Sequence, residues 1–317
     1  MNTLVAPDSF KGTFSATEVA AAIARGLRDG GRKAVELPIA DGGDGTMDVL
    51  GGSVRVASVT DPLGRPVEAR FSLLEDGRTS VVEMAEASGL RLVAEHERDA
   101  FAASTRGTGE LIAAAVGAGA SSVLVAVGGS ATTDGGAGAI EALDAAGVEV
   151  PITVLCDVRT VWEDAPRVFG PQKGADARTV RRLEKRLDEL AARAPRDPRG
   201  VPMTGCAGGL SGGLWAFRGA RLVPGAAFVL DAIGFDELMR AARFVVTGEG
   251  RLDAQTLEGK ACAEVATRAR QGGVACHAVV GRNELDPFRA RVLDFGRVLE
   301  AGDEPALEAA GRRLAEL

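Results

Sequence analysis

Four short segments of this 317-residue chain mix glycine with carboxylates, hydroxyls or lysine in a way that suits chemistry. They are Pro7-Asp8-Ser9-Phe10-Lys11-Gly12, Asp41-Gly42-Gly43-Asp44-Gly45-Thr46, residues 128–136 (Gly-Gly-Ser-Ala-Thr-Thr-Asp-Gly-Gly), and Gly248-Glu249-Gly250-Arg251-Leu252-Asp253. Each follows a short apolar run and precedes a helical pattern. Glycine permits close backbone approach, helix starts present free N–H groups to phosphate, and carboxylates can hold the Mg²⁺ that accompanies a nucleotide. A single such loop is more often a turn or an N-cap. Four together, at the carboxyl ends of strands, favour a doubly wound sheet that holds an anionic ligand.

The rest of the composition narrows that chemistry. His96 and His277 are the only histidines, so histidine triads and multi-histidine metal centres are nearly excluded, and acid–base work falls to carboxylates or lysines. Cys156, Cys206, Cys262 and Cys276 have no C-x-x-C spacing and read as reduced, buried thiols. A net charge of −7 and a pI near 5.2 offer no field for a nucleic-acid backbone, so no nucleic-acid partner is expected. The P-loop is absent, since Gly259-Lys260 is followed by Ala261. No G-x-G pair carries the third glycine of the dinucleotide fingerprint.

These loops need elements to position them. The 46% apolar and 26% charged content is that of a globular protein, and the length suits about two domains at ~150 residues each. Short apolar runs alternate with amphipathic stretches, the signature of βαβ units. Strands are expected at 4–7, 34–39, 123–127, 153–156, 244–247 and 275–280. Helices are expected at 15–28, 107–117, 135–146, 176–194, 256–270 and 304–316. Ser15 and Glu18 form a candidate capping box, and the charged face of 176–194 reads as solvated. Residues 54–84 alternate around turns like an antiparallel meander, which places a boundary near residue 58. The Pro- and Arg-rich stretch 195–202 reads as a linker or surface loop.

An uncharged run, 111–133, is long enough to test as a membrane span. Gly117, Gly119, Ser121 and Ser122 break it into a helix end, a turn and a strand. No membrane partner is expected. Asp8 and Lys11 come too early for a signal peptide, so a cytoplasmic location is the expectation.

Taken in order, seven blocks of the chain resemble the bacterial glycerate kinase family. They are residues 6–12, 40–46, Gly107-Thr108-Gly109-Glu110-Leu111-Ile112, 128–136, Phe169-Gly170-Pro171-Gln172-Lys173-Gly174-Ala175, Ala207-Gly208-Gly209-Leu210, and Thr247-Gly248-Glu249-Gly250 with Asp253, Gln255, Thr256, Gly259 and Lys260. The resemblance implies ATP-dependent phosphorylation of D-glycerate, usually to 2-phosphoglycerate. It also implies an α/β fold of two domains with mainly parallel, Rossmann- or flavodoxin-like sheets, one domain inserted in the other and the active site in the cleft. The expected domains are 1–58 with 240–317, discontinuous, and 59–239, inserted.

Carried over by motif, Asp8, Ser9, Lys11, Asp41, Asp44, Ser130, Asp134, Lys173, Glu249 and Asp253 are expected to face that cleft, without individual roles. From the needs of phosphoryl transfer, cations on the transferring group and a carboxylate near the hydroxyl, Lys11, Asp41 and Asp134 are the expected catalytic residues. Asp8, Ser9, Ser130, Lys173 and Glu249 are expected to bind substrate or nucleotide, and Asp44 and Asp253 to hold Mg²⁺. Glycerate and ATP are the expected small-molecule partners, and a homo-oligomer stays open. The order of base and metal ligand between Asp41 and Asp134 is left undecided, and N-capping is the alternative for Asp253.

The chain departs from the family pattern in lacking a stretch near 150 and part of the segment after Asp157. Thr133 also stands where Asn is usual, and Asp44 where Glu is usual. Those departures motivate two alternatives, a kinase for another small hydroxy acid and an inactive member that binds an organic acid or nucleotide.

Overall fold

The structure, a computed structural model, describes residues 2–317, for Glu258 the backbone alone. In chain order its strands are β1 (Asn2–Pro7), β2 (Ala34–Glu36), β3 (Ser53–Thr60), β4 (Pro66–Leu73), β5 (Thr79–Glu83) and β6 (Ser122–Ala126). They continue with β7 (Ile152–Cys156), β8 (Arg221–Pro224), β9 (Ala242–Leu252), β10 (Ala275–Asn283) and β11 (Val298–Glu300). The chain divides into two compact units, 1–41 with 226–317 and 42–225.

The first unit holds a wholly parallel five-stranded sheet of order β11-β10-β9-β1-β2. Leu4, Ala6, Val245 and Ala278 turn to one face, against Ile39, Phe235 and the helix Ala261–Gln271. Val5, Val246 and Val279 turn to the other, against the helices Ala16–Asp29 and Glu304–Ala315. This alternation is what a parallel sheet covered on both faces requires. The helix Ala16–Asp29 starts where the capping box places it: Ser15 Oγ accepts from the Glu18 N–H at 3.2 Å, and Glu18 Oε2 accepts from the Ser15 N–H at 2.7 Å.

The second unit holds a mixed six-stranded sheet of order β3-β4-β5-β6-β7-β8. The expected meander is there, since β3 pairs antiparallel with β4 and β4 with β5, while β5 to β8 run parallel. Its core, which includes Phe71, Val82, Leu111, Val125, Leu143 and Val154, is continuous through all six strands.

Several expectations are corrected. The chain leaves the first unit at 41, not 58, because β3 is paired along its whole length with β4 and so belongs to the second sheet. It returns at 226, not 240. Of the two readings of residues 195–202, the surface loop holds and the linker does not, since they lie inside the second unit, with Arg199 paired to Asp197 and Asp188. The Gly248-Glu249-Gly250 segment is not a loop: β9 runs on through it to Leu252, because β10 keeps pairing as far as Asn283. The charged face of Ala177–Ala191 is not only solvated, since Arg182 and Arg186 both stack on Phe101 at 3.8 and 4.0 Å. Among the described residues no helix is long and apolar enough to cross a membrane.

Gly26 shows how tightly the first unit is built. A Cβ there would lie 2.0 Å from the Glu308 carbonyl oxygen of the facing helix. Alanine at a helix interior normally gains about 1 kcal/mol over glycine. Here the clash reverses that sign, and Gly26→Ala is expected to lose about 1–3 kcal/mol, read as a lower thermal midpoint.

Candidate functional site

In the first unit, parallel pairing aligns the strand ends and so collects carboxylates. The Asp8 N–H donates to the Gly248 carbonyl at 2.8 Å, which fixes Asp8 at the end of β1 beside Glu249 on β9. Asp41 follows β2. All three are buried. They line a cavity of about 480 Å³ together with Lys11, Lys260 and Arg282. Lys11 is half exposed, with Nζ 3.9 Å from Asp41 Oδ2.

Burial pushes the Asp8 carboxyl well above the usual carboxylate range, and Asp41 adds to the rise, while Lys11 and the Ser9 N–H, donating at 2.7 Å, oppose it. Glu249 is pushed up to about 7, chiefly by burial. The Thr256 hydroxyl donates to its Oε1 at 2.7 Å, and Lys260 Nζ stands 3.8 Å from its Oε2. Asp253 is committed elsewhere. It accepts from the Gln255 N–H at 2.8 Å as a helix N-cap and pairs with Arg251 at 2.9 Å.

In the second unit the loop after β6 is anchored from inside. Asp134 is buried, and Oδ2 accepts from the Thr105 N–H and hydroxyl, both at 2.8 Å, and from the Gly138 N–H at 3.2 Å. Its Oδ1 accepts from the Gly136 N–H at 3.1 Å. The carboxylate thus ties the starts of the helices Arg106–Gly117 and Ala137–Ala145. That is a positioning arrangement, with its acceptor capacity largely spent on the chain itself.

Lys173 is 1% exposed. Its Nζ donates to Ser130 Oγ at 2.7 Å and to the Thr132 carbonyl at 2.6 Å. Burial lowers its pKa to about 7 against the pull of Asp134 and Asp157. Gly208, at φ +64°, closes the other side of the loop, where a Cβ would lie 2.0 Å from the Thr132 carbonyl oxygen. Asp44, half buried, sets its carboxylate against Gly129.

Two further groups carry no role expected from the sequence. Lys260 belongs to the last family block only as a motif residue, and the structure sets it against Glu249. Glu83, at the end of β5, is buried, accepts from the Met47 N–H at 2.7 Å, and is pushed up to about 7 by burial. Nothing in the apolar strand around Glu83 marks it except its charge at a buried position.

For a metal, the donors of the first unit have the right chemistry, hard carboxylate oxygens crowded enough that Asp41 and Glu249 raise Asp8. Among the described residues, however, no group of three or more His, Cys, Asp or Glu could hold an ion by side chains alone. These residues therefore fit Mg²⁺ in its usual protein mode, one or two carboxylates with phosphate oxygens and water completing the shell.

A raised carboxyl pKa takes up a proton on folding. Between the unfolded value near 4.5 and the folded value near 7, the Glu83 contribution to stability falls as pH rises. Glu83→Gln is expected to flatten the decline in thermal midpoint between pH 5 and 8. An unchanged slope would show that Glu83 does not titrate there.

The glycerate kinase family profile matches residues 3–149 and 142–310. A glycerate kinase of Bacillus subtilis strain 168 is 40% identical over 332 positions, covering 90% of this chain and 86% of that protein. A glycerate 2-kinase of Escherichia coli K12 is 38% identical, covering 86% and 82%. The alignment with the Bacillus protein is longer than this whole chain, so that relative carries segments absent here. A crystal structure from Salmonella typhimurium LT2, provisionally named glycerate kinase 2, superposes with TM-score 0.83 at 31% identity, covering 100% of this chain and 97% of that one. By its profile, its relatives and its fold, this chain belongs to the glycerate kinase family.

Proposed function

We propose that this chain transfers the γ-phosphoryl group of ATP to D-glycerate, giving 2-phosphoglycerate and ADP. The observation that carries the reading is the first unit's cavity, where Asp8, Asp41 and Glu249 face Lys11, Lys260 and Arg282, in a chain of this family. Phosphoryl transfer needs little covalent help from a protein. It needs positioning, positive charge on the transferring group and an acceptor for the hydroxyl proton.

Asp41 takes the proton of the glycerate hydroxyl, whose oxygen bonds to phosphorus as the bond to the departing ADP oxygen breaks. Lys11, 3.9 Å from Asp41, binds anionic oxygen of the substrates beside that base. Lys260, held by Glu249, adds a second cation to the same cavity. Asp8 with one neighbouring carboxylate would hold Mg²⁺, which when bound offsets phosphate charge. Asp253 is engaged with Arg251 and a helix start and is the less suitable metal ligand, while Asp44 stays a candidate. A cytoplasmic location suits a kinase of small metabolites.

The segments present in the Bacillus relative and absent here favour a second reading, a kinase for a related small hydroxy acid. A coupled ADP-release assay across a panel of hydroxy acids, with phosphorus NMR of the product, decides between them. D-glycerate is expected to give the highest kcat/KM and a phosphate on O2, and no turnover of any hydroxy acid would refute the kinase reading. Asp41→Asn and Lys11→Ala are each expected to lower kcat about a hundredfold or more, by the usual scale of general-base and charge-stabilising groups, with unchanged circular dichroism.

A further inference from the structure

The buried lysine of the second unit leaves one proton without a destination. Lys173 Nζ donates to Ser130 Oγ at 2.7 Å, so while the lysine carries its charge that oxygen is an acceptor toward it and the Ser130 O–H points elsewhere. Among the described residues the Ser130 hydroxyl makes no hydrogen bond besides the one it accepts from Lys173. Ser130 sits beside the exposed Gly129, on the loop that Asp134 and Gly208 hold in shape. The Lys173 ammonium forms no ion pair among the described residues and is reached by Asp134 and Asp157 only at longer range. The hydroxyls of Thr132 and Thr133, fully buried on the same loop, also lack partners among the described residues. A buried cation with a hydroxyl relay beside exposed backbone calls for an oxyanion.

We infer that Ser130 donates its hydroxyl proton to a phosphoryl oxygen of a ligand, with Lys173 as the positioning and polarising residue behind it. The inference deepens the kinase reading and rests on it for the class of ligand. The phosphoryl oxygen can come from the nucleotide or from the phosphorylated acid. In either case Lys173 never touches the ligand.

Calorimetric titration of the full chain with ADP and, separately, with 2-phosphoglycerate tests this without turnover. Ser130→Ala is expected to raise the Kd of one of the two about tenfold or more, the usual worth of a hydrogen bond to a charged group. Ser130→Thr, which keeps the hydroxyl, should stay within about threefold of the wild-type chain. Whichever ligand responds identifies the source of the phosphate. Lys173→Met should weaken the same ligand and abolish the wild-type loss of affinity from pH 7.5 to 9, where lysine but not phosphate is losing its proton.

Ser130→Ala binding both ligands within twofold of wild type overturns the inference, as does a wild-type chain that binds neither at millimolar concentration. Turnover of D-glycerate with unchanged Ser130→Ala binding sinks this inference alone. Binding that responds to Ser130→Ala without any turnover sinks only the kinase reading.

Discussion

Removing an ionisable group from water costs several kcal/mol unless the chain supplies partners or the group gives up its charge, and this protein meets that constraint at nearly every strand end that matters. Asp134 keeps its place by accepting hydrogen bonds from three backbone N–H groups and a hydroxyl. Glu83 and Glu249 are held near 7, with a backbone amide on one and a threonine hydroxyl on the other. Asp8 and Lys173 are both shifted chiefly by burial, with Asp41 adding to the rise at Asp8. These solutions differ in consequence. A carboxylate whose lone pairs are filled by the chain is scaffold. One crowded by other carboxylates and facing a cavity is available to a cation or a proton.

That distinction separates the two units physically. The first unit concentrates unbalanced charge on a rigid parallel sheet, where β1 finds β9 more than two hundred residues along the chain. Its site cannot exist until residues 226–317 have returned to pair with the N-terminal strand, a long loop to close. The second unit is continuous in sequence and spends Asp134 on loop shape, at two helix starts, with Lys173 beneath the loop. Gly208 is required there because its neighbour's carbonyl occupies the space of a side chain.

Much of this was legible in the sequence because the signals were local. Ser15 and Glu18 lie three apart, so their capping box could be read directly, and the periodicity of 54–84 announced antiparallel strands. The boundary at 58 failed because β3 carries no mark of which sheet it joins. Its partner β4 settles that, and the pairing is tertiary. Gly248-Glu249-Gly250 resembled a loop because two glycines weaken any strand pattern, yet β10 holds it extended. Glycine–carboxylate segments located Asp8, Asp41, Asp134 and Glu249 correctly as residues near strand ends.

Roles were far less legible than places. Asp41 and Asp134 look alike in sequence, each an aspartate beside glycines after an apolar run. Their surroundings in the structure differ. Asp134 has its oxygens engaged by Thr105, Gly136 and Gly138, so replacing it removes the support of two helix starts before it removes any chemistry. Asp41 instead faces a lysine and a cavity. For Lys173, a lysine beside glycine in a family motif suggests a phosphate ligand, and the proposal that it acts from behind Ser130 rests on its 1% exposure and its bond to that hydroxyl. A side chain that cannot touch a ligand can still govern it through the hydroxyl it polarises, because in a site of low dielectric a hydrogen bond carries the field of the charge behind it.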